Sequence, residues 1–441
     1  MSQETRPEDP HKRDRPAARA TAPDGQPLHG AATSAALVAV PIIMLALGLT
    51  LALTSLAPQP TGSGPTPVAT RTATPSPQTP SLGTAARSTG EPVGASQGAV
   101  KARSSIAPRI PWRSLEPSAL LVRIGIGSCL DQRKPQPIWQ GVLGLDQRPD
   151  LFLMIGDNVY GDIKSPDGAE LIAAYAEQAS QPELAAARAA IPFLATWDDH
   201  DYGGNDAGAS YEYRELAARL FHEFWQKDPE RPLEQGIHYA RVFGPPGQRV
   251  QVIMLDTRSF RSDLEKKTSA FPHWGKYQPV ADPARTMLGE AQWTWLGEQL
   301  AVPAEIRLLV SSVQVLAEGH GFERWGNLPQ ERERLTRLIE STDAGGVLLV
   351  SGDRHIGAMY TRTLDNGRLL AELTTSSLNR AYGPSKDART PEVVSGFVHQ
   401  ENFGLIDIDW TARTLSVSLN GIDGNRIEAI ELDFDAIGVK P

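Results

Sequence analysis

Six short runs, apolar on both faces, constrain the fold of this chain more than any other feature. They are LVRIGIG (121–127), LFLMIG (151–156), PFLATW (192–197), VQVIMLD (250–256), IRLLVSS (306–312) and GVLLVSG (346–352). All are short, rich in Val, Ile and Leu, and lack the polar alternation of a half-solvated strand. Each therefore reads as a strand covered on both sides. Helical patterns lie between several of them, clearest at 168–190, 211–226, 289–301 and 329–341. The later runs LLAELTTSS, GLIDIDW, LSVSLNG and IEAIELDF read as a strand-rich closing half. The expected class is α/β: two mixed β-sheets face to face, flanked by helices.

Each of the six runs ends in a polar cluster. GSC (127–129) follows the first, GDNVYGD (156–162) the second and DDHDYGGND (198–206) the third. LDTR (255–258), SSVQ (311–314) and SGDRH (351–355) end the other three. Ligands of α/β sheets bind outside the carboxyl ends of the strands. A solvated loop would explain one such cluster, but six imply a common site. The densest, DDHDY, crowds like charges that repel unless water or a cation offsets them.

The first third of the chain is of another kind. Residues 1–34 are polar and rich in Pro and Arg, and read as a disordered tail. Residues 35–57, AALVAVPIIMLALGLTLALTSLA, carry no charge and are long enough for a transmembrane helix. Lys12, Arg13, Arg15 and Arg19 precede it, whereas only Arg71 follows closely. The tail is therefore expected in the cytoplasm and the rest outside, with the segment as a signal anchor. Cleavage near 55–57 is the alternative, although the run is long for a signal peptide. Residues 58–108, mostly Pro, Thr, Ser, Ala and Gly, read as an extended tether. This leaves 109–441 as the folded domain, extracytoplasmic at the cell membrane. Its one cysteine allows no internal disulfide, and a net charge of -9 argues against a nucleic-acid-binding surface. No protein partner is implied.

The candidate ligands at the strand ends are Cys129, Asp157, Tyr160, Asp199, Asp353 and His355, with Gln314 a weaker one. Thiolate and phenolate together favour a trivalent or soft centre such as iron. A carboxylate-rich neighbour favours a hard cation such as calcium or magnesium. Read singly, other roles fit as well. Cys129 fits a core thiol, Tyr160 a loop cap, and Arg258 either a phosphate clamp or a buried ion pair. Asp198, Asp201, Asp162 and Asn205 fit groups that orient ligands, and Trp197, Trp293 and Trp295 fit packing.

The ordered set G-D-x-x-Y, D-D-H-D and G-D-x-H resembles the calcineurin-like metallophosphoesterases. With the Ser-Cys after the first strand and L-D-x-R after the fourth, it is most similar to the alkaline phosphatase D family, over roughly 118–420. The resemblance implies that Asp157 bridges two metals and that Tyr160 and Cys129 bind an iron-like centre; with the carboxylate-rich second site the expected pair is Fe3+ with Ca2+, other divalent cations also fitting. It implies that Asp199, Asp353 and His355 complete the ligands and that His200 faces the leaving group. The superfamily's isolated middle histidine has no clear counterpart here. Ser311, Ser312 and Gln314 occupy that strand end, and His320 lies just beyond. The tether stands where many members carry an N-terminal β-sandwich.

The expected reaction is hydrolysis of a phosphate mono- or diester by a water activated between two cations. His200 would protonate the leaving oxygen, and Arg258 and Asn205 would stabilise the equatorial oxygens. Two rivals remain. One is a non-catalytic tethered domain that binds a wall polymer, its metals structural; the other is a hydrolase of non-phosphate esters.

Overall fold

The structure, a computed structural model, describes residues 112–225 and 235–441. The tail, apolar segment and tether expected over 1–108 lie outside the described residues. Among the described residues no helix is long and apolar enough to cross a membrane.

All six uniformly apolar runs are strands, three in each of two sheets. β1 (Arg123–Gly127), β2 (Leu151–Ile155) and β3 (Phe193–Thr196) lie parallel, with Ile124 opposite Leu151 and Phe152 opposite Phe193. The antiparallel meander β10 (Asn402–Asp409), β11 (Thr414–Gly421) and β12 (Arg426–Asp433) extends this sheet from β1, giving the order β12-β11-β10-β1-β2-β3. The second sheet runs β4-β5-β6-β7-β9-β8. Here β5 (Val250–Met254), β6 (Ile306–Val310), β7 (Val347–Ser351) and β9 (Leu369–Thr375) are parallel. Its edges β4 (Tyr239–Phe243) and β8 (Gly357–Thr363) pair antiparallel.

Because side chains alternate along a strand, each sheet feeds two cores. Ile124, Ile126, Leu153 and Ile155 meet Val252, Met254, Leu308 and Val350 between the sheets. Phe152, Met154 and Phe193 point the other way, onto α1 (Ile138–Leu143), α2 (Ala169–Ala179), α3 (Pro182–Ala190) and α5 (Arg214–Phe224). Ile253, Leu309 and Leu349 pack beneath α6 (Gly289–Leu300) and α7 (Pro329–Ser341). The result is the expected helix–sheet–sheet–helix sandwich.

The helix expected over 168–190 is two helices. Pro182 begins α3, where its missing N–H costs nothing, but that ring could not have continued α2. The short α4 (Asp199–Tyr202) is one turn long and carries the densest polar cluster.

Candidate metal centre

The carboxyl ends of the parallel strands are tied together within and across the two sheets. After β1, the Leu130 amide donates to the Asp157 carbonyl (2.8 Å), and the Leu378 amide beyond β9 donates to the Ser128 carbonyl (2.9 Å). After β3, the Thr196 hydroxyl donates to the Leu255 carbonyl beyond β5 (2.9 Å). These turns are sharp enough to put Cys129 (φ 58°), Asp157 (φ 49°), Asp353 (φ 66°) and His355 (φ 55°) in the left-handed region. Each such non-glycine residue costs roughly 1–3 kcal/mol, and such conformations gather where geometry serves a site. Gly156 (φ 113°) makes the turn before Asp157, and a Cβ there would sit 2.5 Å from that of Asp198.

Four of the sequence candidates surround one point. Tyr160 Oη donates to Asp157 Oδ2 (2.9 Å), and Cys129 Sγ lies 3.6 Å from the same oxygen. Cys129, Asp157 and His355 present donor atoms within 4.8 Å of one another. His355 Nδ1 bonds the Arg380 carbonyl (2.5 Å) and its amide donates to Ser376 Oγ (2.6 Å), which also meets Cys129 Sγ (3.1 Å). The imidazole is thereby aimed by its Nδ1, leaving Nε2 for a ligand.

A second group overlaps the first. Asp157, Asp199 and His200 gather within 4.8 Å, as do Asp198, Asp199 and Asp353, and Asp199, Asp206 and Glu323. Asp199 Oδ2 accepts from the Asp206 amide (2.7 Å), while its Oδ1 is buried without a hydrogen-bond partner. A buried carboxylate oxygen left bare is costly unless something positive meets it. His200 Nδ1 pairs with Asp162 (2.6 Å).

The titration behaviour has the same cause. Burial, then Asp199, push the Asp157 carboxyl well above its usual range, and burial, then Asp198, do the same to Asp353. Burial opposes ionisation of Asp199, but His200 and Arg258 hold its carboxyl below the usual range. Burial and then Asp157 push up both the Cys129 thiol and the Tyr160 phenol. Burial drops His355 to about 4, a neutral imidazole. At His200 burial works downward, yet Asp199, Asp157 and Asp162 raise it to about 11. Protons or cations must offset this crowd of acids. The donor set of thiol, phenol, imidazole and shared carboxylates fits metal ions.

The donors open on a cavity of about 300 Å³, which Asp157, Asp199, His200, Asn205, Asp353 and His355 line. Arg258 does not reach it. Its guanidinium is fully buried and pairs with Asp198 and with Glu323 (2.7 Å), so the expected phosphate clamp is instead a buried ion pair. Asp198 also accepts from Ser312 (2.7 Å). The weaker ligand candidate Gln314 is likewise withdrawn from the cavity. It bonds His320 Nε2 (2.9 Å), Tyr360 (3.0 Å) and Thr374 (2.9 Å), so neither it nor His320 replaces the absent middle histidine. Trp197 and Trp293 are buried packing residues.

Sequence reasoning passed over Asp206, Glu323, Ser376 and Arg380, whose guanidinium lies 3.9 Å over the Tyr160 ring. A signal existed for two of them. Asp206 closes the polar cluster after β3, and Ser376 follows β9, a parallel strand to which the same strand-end rule applies.

The chain is 25% identical over 300 residues to alkaline phosphatase D of Bacillus subtilis (strain 168), covering 58% of this chain and 51% of that protein. It thus spans about half the length of that relative. The solved structure of PhoD shares the fold at 17% identity and a TM-score of 0.58, covering 75% of this chain and 73% of that one. The pattern that defines the PhoD-like phosphatases matches residues 138–419, which include every candidate ligand except Cys129. The chain belongs to the PhoD-like phosphatase family.

Proposed function

We propose that this protein hydrolyses phosphate esters in a metal-dependent reaction. The observation that carries the reading is the sharing of Asp157 and Asp199 between adjacent donor groups that open, with His200, on one cavity. Cys129, Asp157, Tyr160 and His355 would hold an iron-like ion, Fe3+ because two anionic donors, phenolate and thiolate, favour a trivalent centre. Asp157, Asp199 and Asp353 would hold a harder divalent ion such as Ca2+. Such ions would polarise the phosphoryl oxygens and acidify a water.

The chain's own residues do the rest. Asp162 accepts from His200 Nδ1, and the acids around the ring favour the imidazolium, so Nε2 also carries a proton for the leaving oxygen. His200 then donates its Nε2 proton to the departing alkoxide. Asn205, exposed at the cavity, takes the role of steadying the equatorial oxygens that Arg258 cannot take. Donor atoms of His200, Asp157 and Asp199 lie within 4.8 Å of one another, so His200 would be in reach of a cation held there, which supports a second reading of it as a ligand.

The apolar segment 35–57 and the positive residues before it support anchorage in the cell membrane with the catalytic part outside. One experiment tests reaction and placement together. Membrane and soluble fractions from cells making the full chain are assayed on a phosphomonoester and a phosphodiester, before and after chelation. Activity should follow the membrane fraction and vanish on chelation. Hydrolysis that survives complete metal removal would refute metal dependence; activity confined to the soluble fraction would refute the anchor.

A further inference from the structure

The cavity over the carboxylates is rimmed by rings. Trp274 and Tyr382 are 43% and 53% exposed, and both line it together with Phe322. The other large apolar side chains exposed among the described residues, such as Trp112 and Ile427, lie elsewhere. Leaving apolar ring surface in water forgoes stabilisation, so two such rings at one mouth call for a reason.

Both rings are firmly placed. The Gly321 amide donates to the Trp274 carbonyl (2.6 Å) and the Tyr277 amide to the Gly321 carbonyl (2.6 Å). Lys276 Nζ and Tyr277 Oη each donate to Asp206 (2.8 Å), one of the acids facing Asp199. Gly275 (φ 140°) permits this close approach, since a Cβ there would sit 2.1 Å from the Gly321 carbonyl carbon. The indole meets Phe322 edge-on at 4.8 Å. Tyr382 stacks on the His355 imidazole at 4.1 Å and 24°, so one face covers a candidate metal ligand. An ester bound at the carboxylates would carry its alcohol part past these rings.

We propose that Trp274 and Tyr382 determine specificity by stacking on a planar aromatic group carried by the alcohol part of the ester, a nucleobase for instance. A ring face at a mouth next to charges is the arrangement that accepts bases without reading their edges. The inference rests on the phosphoesterase reading above.

The test compares adenosine 5′-monophosphate with ribose 5-phosphate on the full-length, metal-loaded protein. The two share a primary alkoxide leaving group and differ in the base. The wild type should favour the nucleotide in kcat/KM by about tenfold, the order expected of one stacked base. Trp274→Ala and Tyr382→Ala should each lower that ratio severalfold, chiefly through KM for the nucleotide, and Trp274→Phe should retain most of it. A wild-type ratio near one, or a ratio unmoved in both alanine variants, would overturn the inference. So would equal losses on both esters, the mark of a scaffold role. A chain inert on both esters would overturn the phosphoesterase reading itself, an outcome distinct from activity on both with an unmoved ratio.

Discussion

His200 is the residue whose role is most sharply divided between two chemistries. Its imidazole sits 16% exposed at the cavity, bonded to Asp162 and among the carboxylates of Asp157 and Asp199. As a proton donor, it should be dispensable for metal binding. His200→Ala should then keep its ions and lose about 10²–10⁴-fold in rate on an alkyl phosphate, with a smaller loss on nitrophenyl phosphate. A nitrophenolate leaves without help, whereas an alkoxide needs the proton. As a ligand, His200 would take metal with it when removed. Elemental analysis and the two rates on one preparation separate these, and equal losses on both esters would sink the donor role. The sequence made His200, Asp157, Asp199, Asp353 and His355 legible because each follows an apolar run directly. It could not show that Arg258, in an equally suggestive L-D-T-R, turns inward. That depends on Asp198 and Glu323 coming from distant parts of the chain to meet it.

At the scale of elements, the same distinction applies to strands. β5, β6 and β7 are buried throughout and announce themselves as continuous apolar runs. β4 and β8, the two edges of that sheet, went unread because YARVF and GAMYTRT mix exposed polar residues with buried ones. The turn between β3 and α4 is held by a pair that also spans both sheets. Asp198 caps α4, and its carboxylate pairs with Arg258 from beyond β5, which in turn pairs with Glu323. Breaking a buried pair leaves charges without partners and costs about 3–5 kcal/mol. Arg258→Met should therefore lower unfolding stability by about that amount, measured by denaturant titration of the metal-loaded protein. A variant of wild-type stability that merely loses rate would restore the phosphate-clamp role.

For the whole molecule, two stacked sheets bring six strand ends from distant parts of the sequence onto one surface. The position of that surface was legible because strand-end clusters repeat; its composition was legible only in part. Ser376 acts through its hydroxyl on the His355 amide and Arg380 through its carbonyl and guanidinium, contacts no motif announces, and the aromatic rim comes from loops without a repeating pattern. The central claim is that the crowded carboxylates are matched to metal ions, with Asp157 common to both donor groups. It is tested most directly by the metal content of purified, folded Asp157→Asn beside the wild type. An amide in place of the shared carboxylate removes a charge from both groups at once. The wild type should hold more than one ion per chain, and the variant should lose most of them together with phosphate-ester hydrolysis. A folded variant with wild-type metal content would contradict the account.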